Sequence, residues 1–153
     1  MTALITVEKA GSDERSFRDV FELCLLLHKE GGYAPLDVSK AANNCYRVLR
    51  ENACFVAREP SGTAVGTLAL TTLRFWYSAE SFLQDAWFFV RPEYRGGDVG
   101  VLLMRAARAE ADAQAKIAFV TVNNPDRRPK QTRMSIESQV AGYVPLGYTL
   151  KIR

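Results

Sequence analysis

Phe88-Phe89-Val90-Arg91-Pro92-Glu93-Tyr94-Arg95-Gly96-Gly97-Asp98-Val99-Gly100 runs from an apolar segment through a proline and paired glycines into the start of a helical pattern. The run Ala86 to Val90 is apolar on both faces, which predicts a central strand. Beyond the glycines, Val99, Leu102, Leu103, Ala106 and Ala113 share one helical face while Arg105, Arg108 and Asp112 fall elsewhere, so a helix is expected to about Gln114. Gly96, Gly97 and Gly100 let backbone amides approach a ligand closely. A helix start adds unpaired N–H groups and the positive end of the helix dipole. Strand, glycine turn and helix together suit a phosphate, and an ordinary glycine turn is the alternative reading. No Gly-Lys-Ser/Thr follows and G-x-G-x-x-G is absent, which sets aside the Walker loop and the dinucleotide fingerprint.

Upstream, Leu4 to Val7 reads as a short strand ending at Gly11, with Ser12 and Asp13 as helix N-caps. Phe17, Val20, Phe21, Cys24 and Leu27 then recur at helical spacing until Gly31-Gly32. After a loop to Pro35, Asp37 or Ser39 caps a second helix that carries Val38, Ala41, Ala42, Cys45, Val48 and Leu49 on one side and ends near Asn52. Ala53 to Arg58 and Ala64 to about Trp76 form an antiparallel hairpin around Pro60-Ser61-Gly62. Downstream, Ile117 to Val122 is a strand, Pro129 to Ala141 a helix with Gly142 as its terminator, and Val144 to Ile152 a closing strand. This order predicts a mixed α/β (α+β) sheet with helices on both faces, in a single domain over residues 1–153.

A chain of 153 residues with 48% hydrophobic composition suits one core. The formal charge of +3 does not imply nucleic acid and is compatible with anionic small ligands. No apolar run reaches the roughly 18 to 20 residues of a membrane helix, and MTALITVEKA lacks the features of a signal peptide. A soluble, cytoplasmic protein with no membrane contact is the expectation. Cys24, Cys45 and Cys54 are odd in number and form no paired C-x-x-C pattern, so buried free thiols are expected rather than disulfides or a zinc site. The single histidine, His28, lies on a leucine-rich helical stretch, and no metal site is expected.

The central stretch resembles the acetyl-CoA-binding motif of the GNAT N-acetyltransferase superfamily, Gln/Arg-x-x-Gly-x-Gly/Ala after a strand ending in Val-x-Pro. Val90-Arg91-Pro92 matches the approach, Arg95 the first motif position and Gly100 the last, while Asp98 replaces the middle glycine. The element order is similar over nearly the whole chain. The resemblance implies a mixed, mostly antiparallel sheet in which the fourth strand bulges away from the fifth at Val90. The wedge so opened admits the pantetheine arm of acetyl-CoA, and Val90's backbone groups bond that arm. It further implies that the amides of Arg95, Gly96, Gly97, Asp98, Val99, Gly100 and Val101 hold the pyrophosphate. Asp98 is expected to turn its side chain outward, since a carboxylate capping those amides would repel phosphate.

In this superfamily an amine attacks the thioester directly and must first lose a proton. Asp85, on the same parity as Trp87 and Phe89, is the first candidate acceptor, and Glu80 the second. Many members of the superfamily place a tyrosine four residues ahead of a Gly-Phe pair, where its hydroxyl can protonate the departing thiolate. With Gly142-Tyr143 as that pair the acid position is Ser138; with Gly147-Tyr148 it is Tyr143, but Pro145 then falls inside a helix. The first register is preferred. Asn123, with Asn124, matches the family's asparagine near the CoA arm loosely, and a polar strand cap explains both equally well.

The implied activity is acetyl transfer from acetyl-CoA to an amine of a small molecule or protein. The rival is a non-catalytic module of the same fold that binds CoA or a protein partner. A third reading, nucleic-acid binding through Arg127, Arg128, Lys130 and Arg133, lacks interleaved aromatics. Phe75-Trp76-Tyr77 with Phe82, Trp87, Phe88 and Phe89 reads either as core or as the lining of an acceptor pocket near Tyr33. An exposed final strand would favour a homodimer through sheet edges.

Overall fold

The computed structural model describes residues 4–122. Its elements are β1 (Thr6–Lys9), α1 (Glu14–Gly31), α2 (Val38–Glu51), β2 (Ala53–Arg58), β3 (Ala64–Arg74), β4 (Ser81–Val90), a 3₁₀ turn (Pro92–Tyr94), α3 (Val99–Ala113) and β5 (Ala118–Phe119). The helix starts follow the expected caps. Asp13 accepts the Ser16 amide at 2.9 Å, and Asp37, not Ser39, caps α2 by accepting the Lys40 amide at 3.0 Å. The expected closing helix and strand lie outside the described residues, as does the homodimer edge.

The sheet order is β1-β2-β3-β4-β5, antiparallel throughout except for the parallel β4–β5 pair. α1 and α2 cover one face. There Val20 and Leu23 of α1 and Cys45, Val48 and Leu49 of α2 close over Cys54, Val56, Ala69, Trp87 and Phe89. α3 lies on the other face, close enough that a Cβ on Gly66 of β3 would meet Val99 Cγ1 at 2.9 Å and Leu103 Cδ1 at 3.1 Å. Gly62, with φ of +91°, supplies the backbone that the β2–β3 turn needs. Arg58 is buried beside that turn and bonds Glu8 of β1, Asp19 of α1 and the Gly62 carbonyl, so its charge is fully partnered.

The strands differ from the sequence reading where polar residues interrupt the apolar runs. β1 begins at Thr6 rather than Leu4 because its register is set by pairing of Thr6 with Arg58. β4 begins at Ser81 rather than Ala86: Gln84 and Asp85 break the apolar pattern, but the long β3 supplies partners from Leu70 to Arg74. β5 has only two residues of the expected six, since only Ala118 and Phe119 pair with β4.

All three cysteines are free. Burial pushes the Cys54 thiol up to about 12. Among the described residues no helix is long and apolar enough to cross a membrane, and no three metal-ligating side chains converge.

Candidate functional site

β4 and β5 meet only at Leu83–Ala118 and Gln84–Phe119. From Asp85 to Val90 the outer edge of β4 has no strand partner among the described residues, so the split begins at Asp85, ahead of the Val90 position expected for it. Ala86 is an extra residue at this point, since Ala69 pairs with Trp87 and Leu70 with Asp85. The bulge restarts the two-residue alternation of the strand. Asp85 therefore shares a face with its partner Leu70, not with Trp87 and Phe89, which corrects the parity read from the sequence.

Asp85 Oδ1 accepts the Thr121 amide at 3.1 Å, and the Thr121 hydroxyl also bonds this carboxyl. Burial nonetheless outweighs those bonds and raises the Asp85 carboxyl above its ordinary range, in the direction that makes it a stronger base. Glu80 lies in the β3–β4 connection, exposed, with its amide on Ser78 Oγ and its carbonyl accepting from Phe75. Five residues of strand separate it from Asp85, about 16 Å, so the two acids cannot serve one reacting centre.

At the other end of β4 the chain is clamped. The Arg91 amide donates to Val65 O and its Nε to Ala64 O, both at 2.9 Å, tying the strand end to β3. Because Arg91 turns its N–H toward β3, Val90 turns its backbone groups toward the open edge. The Val90 carbonyl is already taken there by Arg95 Nε at 2.9 Å, while its N–H has no partner among the described residues. Tyr94 adds a hydrogen bond from its hydroxyl to Glu59 Oε1. The Arg95 amide is also occupied, donating to Pro92 O at 3.2 Å, so the row of amides expected to start at Arg95 starts one residue later.

From Gly96 to Val101, six successive amides have no hydrogen-bond partner among the described residues, and the first bond into α3 runs from Leu102 N to Asp98 O. Gly96 adopts φ of +84° to turn this row. Asp98, the residue that departs from the motif, is exposed and makes no side-chain cap bond. Among the described residues a Cβ on Gly100 would touch only Phe88 Cζ, at 3.7 Å. Among those residues, space and donors are thus both open at the start of α3, where the helix dipole favours an anion.

Asn123, Ser138 and Tyr143, with Asn124 and the basic cluster from Arg127 to Arg133, lie outside the described residues. The aromatic residues divide. Trp87 and Phe89 are core, with Trp87 Nε1 donating to the buried Thr67 hydroxyl at 3.2 Å. Phe75, Tyr77, Phe82 and Phe119 cluster at the far end of the β3–β4 hairpin, with Phe75 stacked on Tyr77, Phe119 edge-on to Phe82 and Trp76 edge-on to Tyr77. Tyr33 lines a different groove, between the α1–α2 connection and α2, with His28, Asp37 and Asn44. Thr121 and Glu30, which hold Asp85 and Arg95, were not legible in the sequence: their partners lie 36 and 65 residues away with no motif linking them.

The model of the Acetyltransferase (GNAT) domain matches residues 50–145, well over half of the chain. The chain belongs to the GNAT acetyltransferase family. No curated protein matches it by sequence. Among solved structures it is similar to a possible acetyltransferase from Clostridium difficile 630, at 18% identity and TM-score 0.67 over 97% of this chain and 99% of that one. It is likewise similar to an aminoglycoside acetyltransferase from an uncultured soil metagenomic sample, solved with sisomicin, at 18% identity and TM-score 0.65 over 96% and 97%. A third likeness is to AAC(6')-Iy with the bisubstrate analog CoA-S-monomethyl-acetylneamine, at 11% identity and TM-score 0.69 over 99% of both chains. At these identities the likenesses show a shared fold, with the mixed sheet and flanking helices expected from the sequence.

Proposed function

We propose that this chain transfers an acetyl group from acetyl-CoA to an amine by direct attack. The observation that carries the reading is the row of six amides from Gly96 to Val101 that have no partner among the described residues, at the end of a strand whose outer edge is, among those residues, unpaired from Asp85 onward. An extended pantetheine arm carries amides of its own and suits an open strand edge, and a pyrophosphate suits uncapped N–H groups at a helix start. Asp98 does not oppose this, because its carboxylate makes no bond to those amides. The Val90 N–H is the strand group best placed for the arm, since Arg95 occupies the carbonyl.

Asp85 is the proton acceptor in this reading, directly or through a water. It stands where β4 and β5 part, and burial raises its affinity for a proton. Ser138 in the preferred register and Tyr143 in the other remain the proposed proton donors to the departing thiolate, with Asn123 near the arm. Glu80, exposed and about 16 Å along the strand from Asp85, is the second candidate.

The acceptor is an amine on a small molecule or a protein. Its test is release of free CoA thiol from acetyl-CoA in the presence of aminoglycosides, polyamines or peptides with free N-termini. Acetylated product must appear in step with thiol. One observation favours the rival, a module that binds CoA without turnover: Asp85 already bonds Thr121. Binding of acetyl-CoA with no thiol release across the panel is the result that selects it.

A further inference from the structure

We infer that Glu30, at the end of α1, is a positioning residue for the acetyl-CoA site and acts through Arg95; the inference rests on the reading of the Gly96–Val101 amides given above. Arg95 holds the first position of the glycine motif, where its cation could be taken for a phosphate ligand. Its geometry points elsewhere. Nε donates to the Val90 carbonyl at 2.9 Å, Nη2 lies 2.8 and 2.7 Å from the two Glu30 oxygens, and the guanidinium sits 5.4 Å over the Phe89 ring. The side chain is only 12% exposed.

Each contact turns the cation back toward β4 and α1, away from the amides that follow it. The next residue is Gly96, whose positive φ starts the amide row. A glycine pair has little rigidity of its own. One end of the row is set by α3, and the other by whatever holds Arg95. Of the contacts above, Glu30 is the charged one and lies on a separate element, so it joins the end of α1 to the turn. With Nε on the Val90 carbonyl and Nη2 on both Glu30 oxygens, these charge-assisted bonds fix the direction of the guanidinium as well as its distance.

The test pairs Glu30→Gln, which keeps size and removes charge, with Arg95→Lys, which keeps charge and removes the guanidinium that bonds Val90 and Glu30 together, against the unaltered chain. CoA affinity is measured by calorimetry at low and high salt, and backbone order parameters of Gly96 and Gly97 by ¹⁵N relaxation in the free protein. Glu30→Gln is expected to weaken CoA binding about tenfold with an unchanged salt slope, and to lower the Gly96 and Gly97 order parameters. Arg95→Lys is expected to do the same, and it carries the test if Glu30→Gln does not fold. Equal affinity, or tighter binding with a steeper salt dependence once Glu30 is neutralised, overturns the inference, the second because it makes Arg95 a phosphate ligand. If the unaltered chain binds no CoA, the reading of the site falls, while the order parameters still decide whether Glu30 holds the turn.

Discussion

The Asp85 carboxylate accepts the Thr121 amide at 3.1 Å, joining β4 to the chain just beyond β5 at the point where the two strands stop pairing. A backbone amide that would otherwise bond the next residue of β4 is taken by a side chain instead. The ladder therefore ends at Gln84–Phe119, and the bulge at Ala86 turns β4 away. The same carboxylate marks the opening of the cleft and is the group proposed above as proton acceptor.

Asp85→Asn separates these roles. The amide oxygen of Asn can still accept from Thr121, so the strands should part as before, while the base is lost. Acyl transfer should fall about 10²- to 10⁴-fold. The folded-state value of Asp85 is raised, so the native state favours the protonated form; stability is lost as pH rises from the ordinary carboxylate range through that raised value. Asn carries no such penalty. The variant should therefore be at least as stable as the parent at neutral pH, with the difference vanishing in acid, as read by denaturant titration across pH.

Gly100→Glu should leave the fold intact and abolish CoA binding. A Cβ at this position meets, among the described residues, only Phe88 Cζ at ordinary contact distance, so folding should cost little. A carboxylate beside the amide row then repels phosphate. Calorimetry and circular dichroism on one sample check both halves.

Asp98→Gly should change CoA affinity by less than about tenfold, roughly 1.4 kcal/mol, because the native carboxylate makes no bond to the amides and is exposed to screening. A far larger gain would mean that the carboxylate occupies the amide row in solution.

Gly66→Ala should destabilise the protein by about 1 to 3 kcal/mol. The new methyl would meet Val99 Cγ1 at 2.9 Å and the Phe89 carbonyl at 3.2 Å, and neither can move without shifting the start of α3 or β4. Since α3 begins at Val99, CoA binding should weaken along with thermal stability, which a melting curve with and without CoA checks.

The order of elements through β5 was legible because helical periodicity in α1, α2 and α3 and the glycine turns mark their own ends. β2 was read to the residue. Local pattern failed at β4 and β5, where pairing partners decide. Ser81–Asp85 is too polar to read as strand until β3 is placed beside it, and Ile117–Val122 is apolar enough to read as strand although Thr121 bonds a side chain. The site divides in the same way. The glycines and the helix start are contiguous and showed in sequence. The bulge that moves Asp85 to the other face of β4, and the use of the Arg95 amide by Pro92, are properties of the folded backbone with no residue signature.

Thermal unfolding of the full chain with increasing CoA is the most direct test of the cleft. A ligand that binds only the folded state should stabilise it by about 2.7 kcal/mol at one hundred times its dissociation constant. The melting temperature should rise progressively with CoA and with acetyl-CoA, rise much less with ATP or NADH, and stay flat in Gly100→Glu. A melting temperature indifferent to CoA at millimolar concentration would contradict the assignment of the Gly96–Val101 amides to acetyl-CoA.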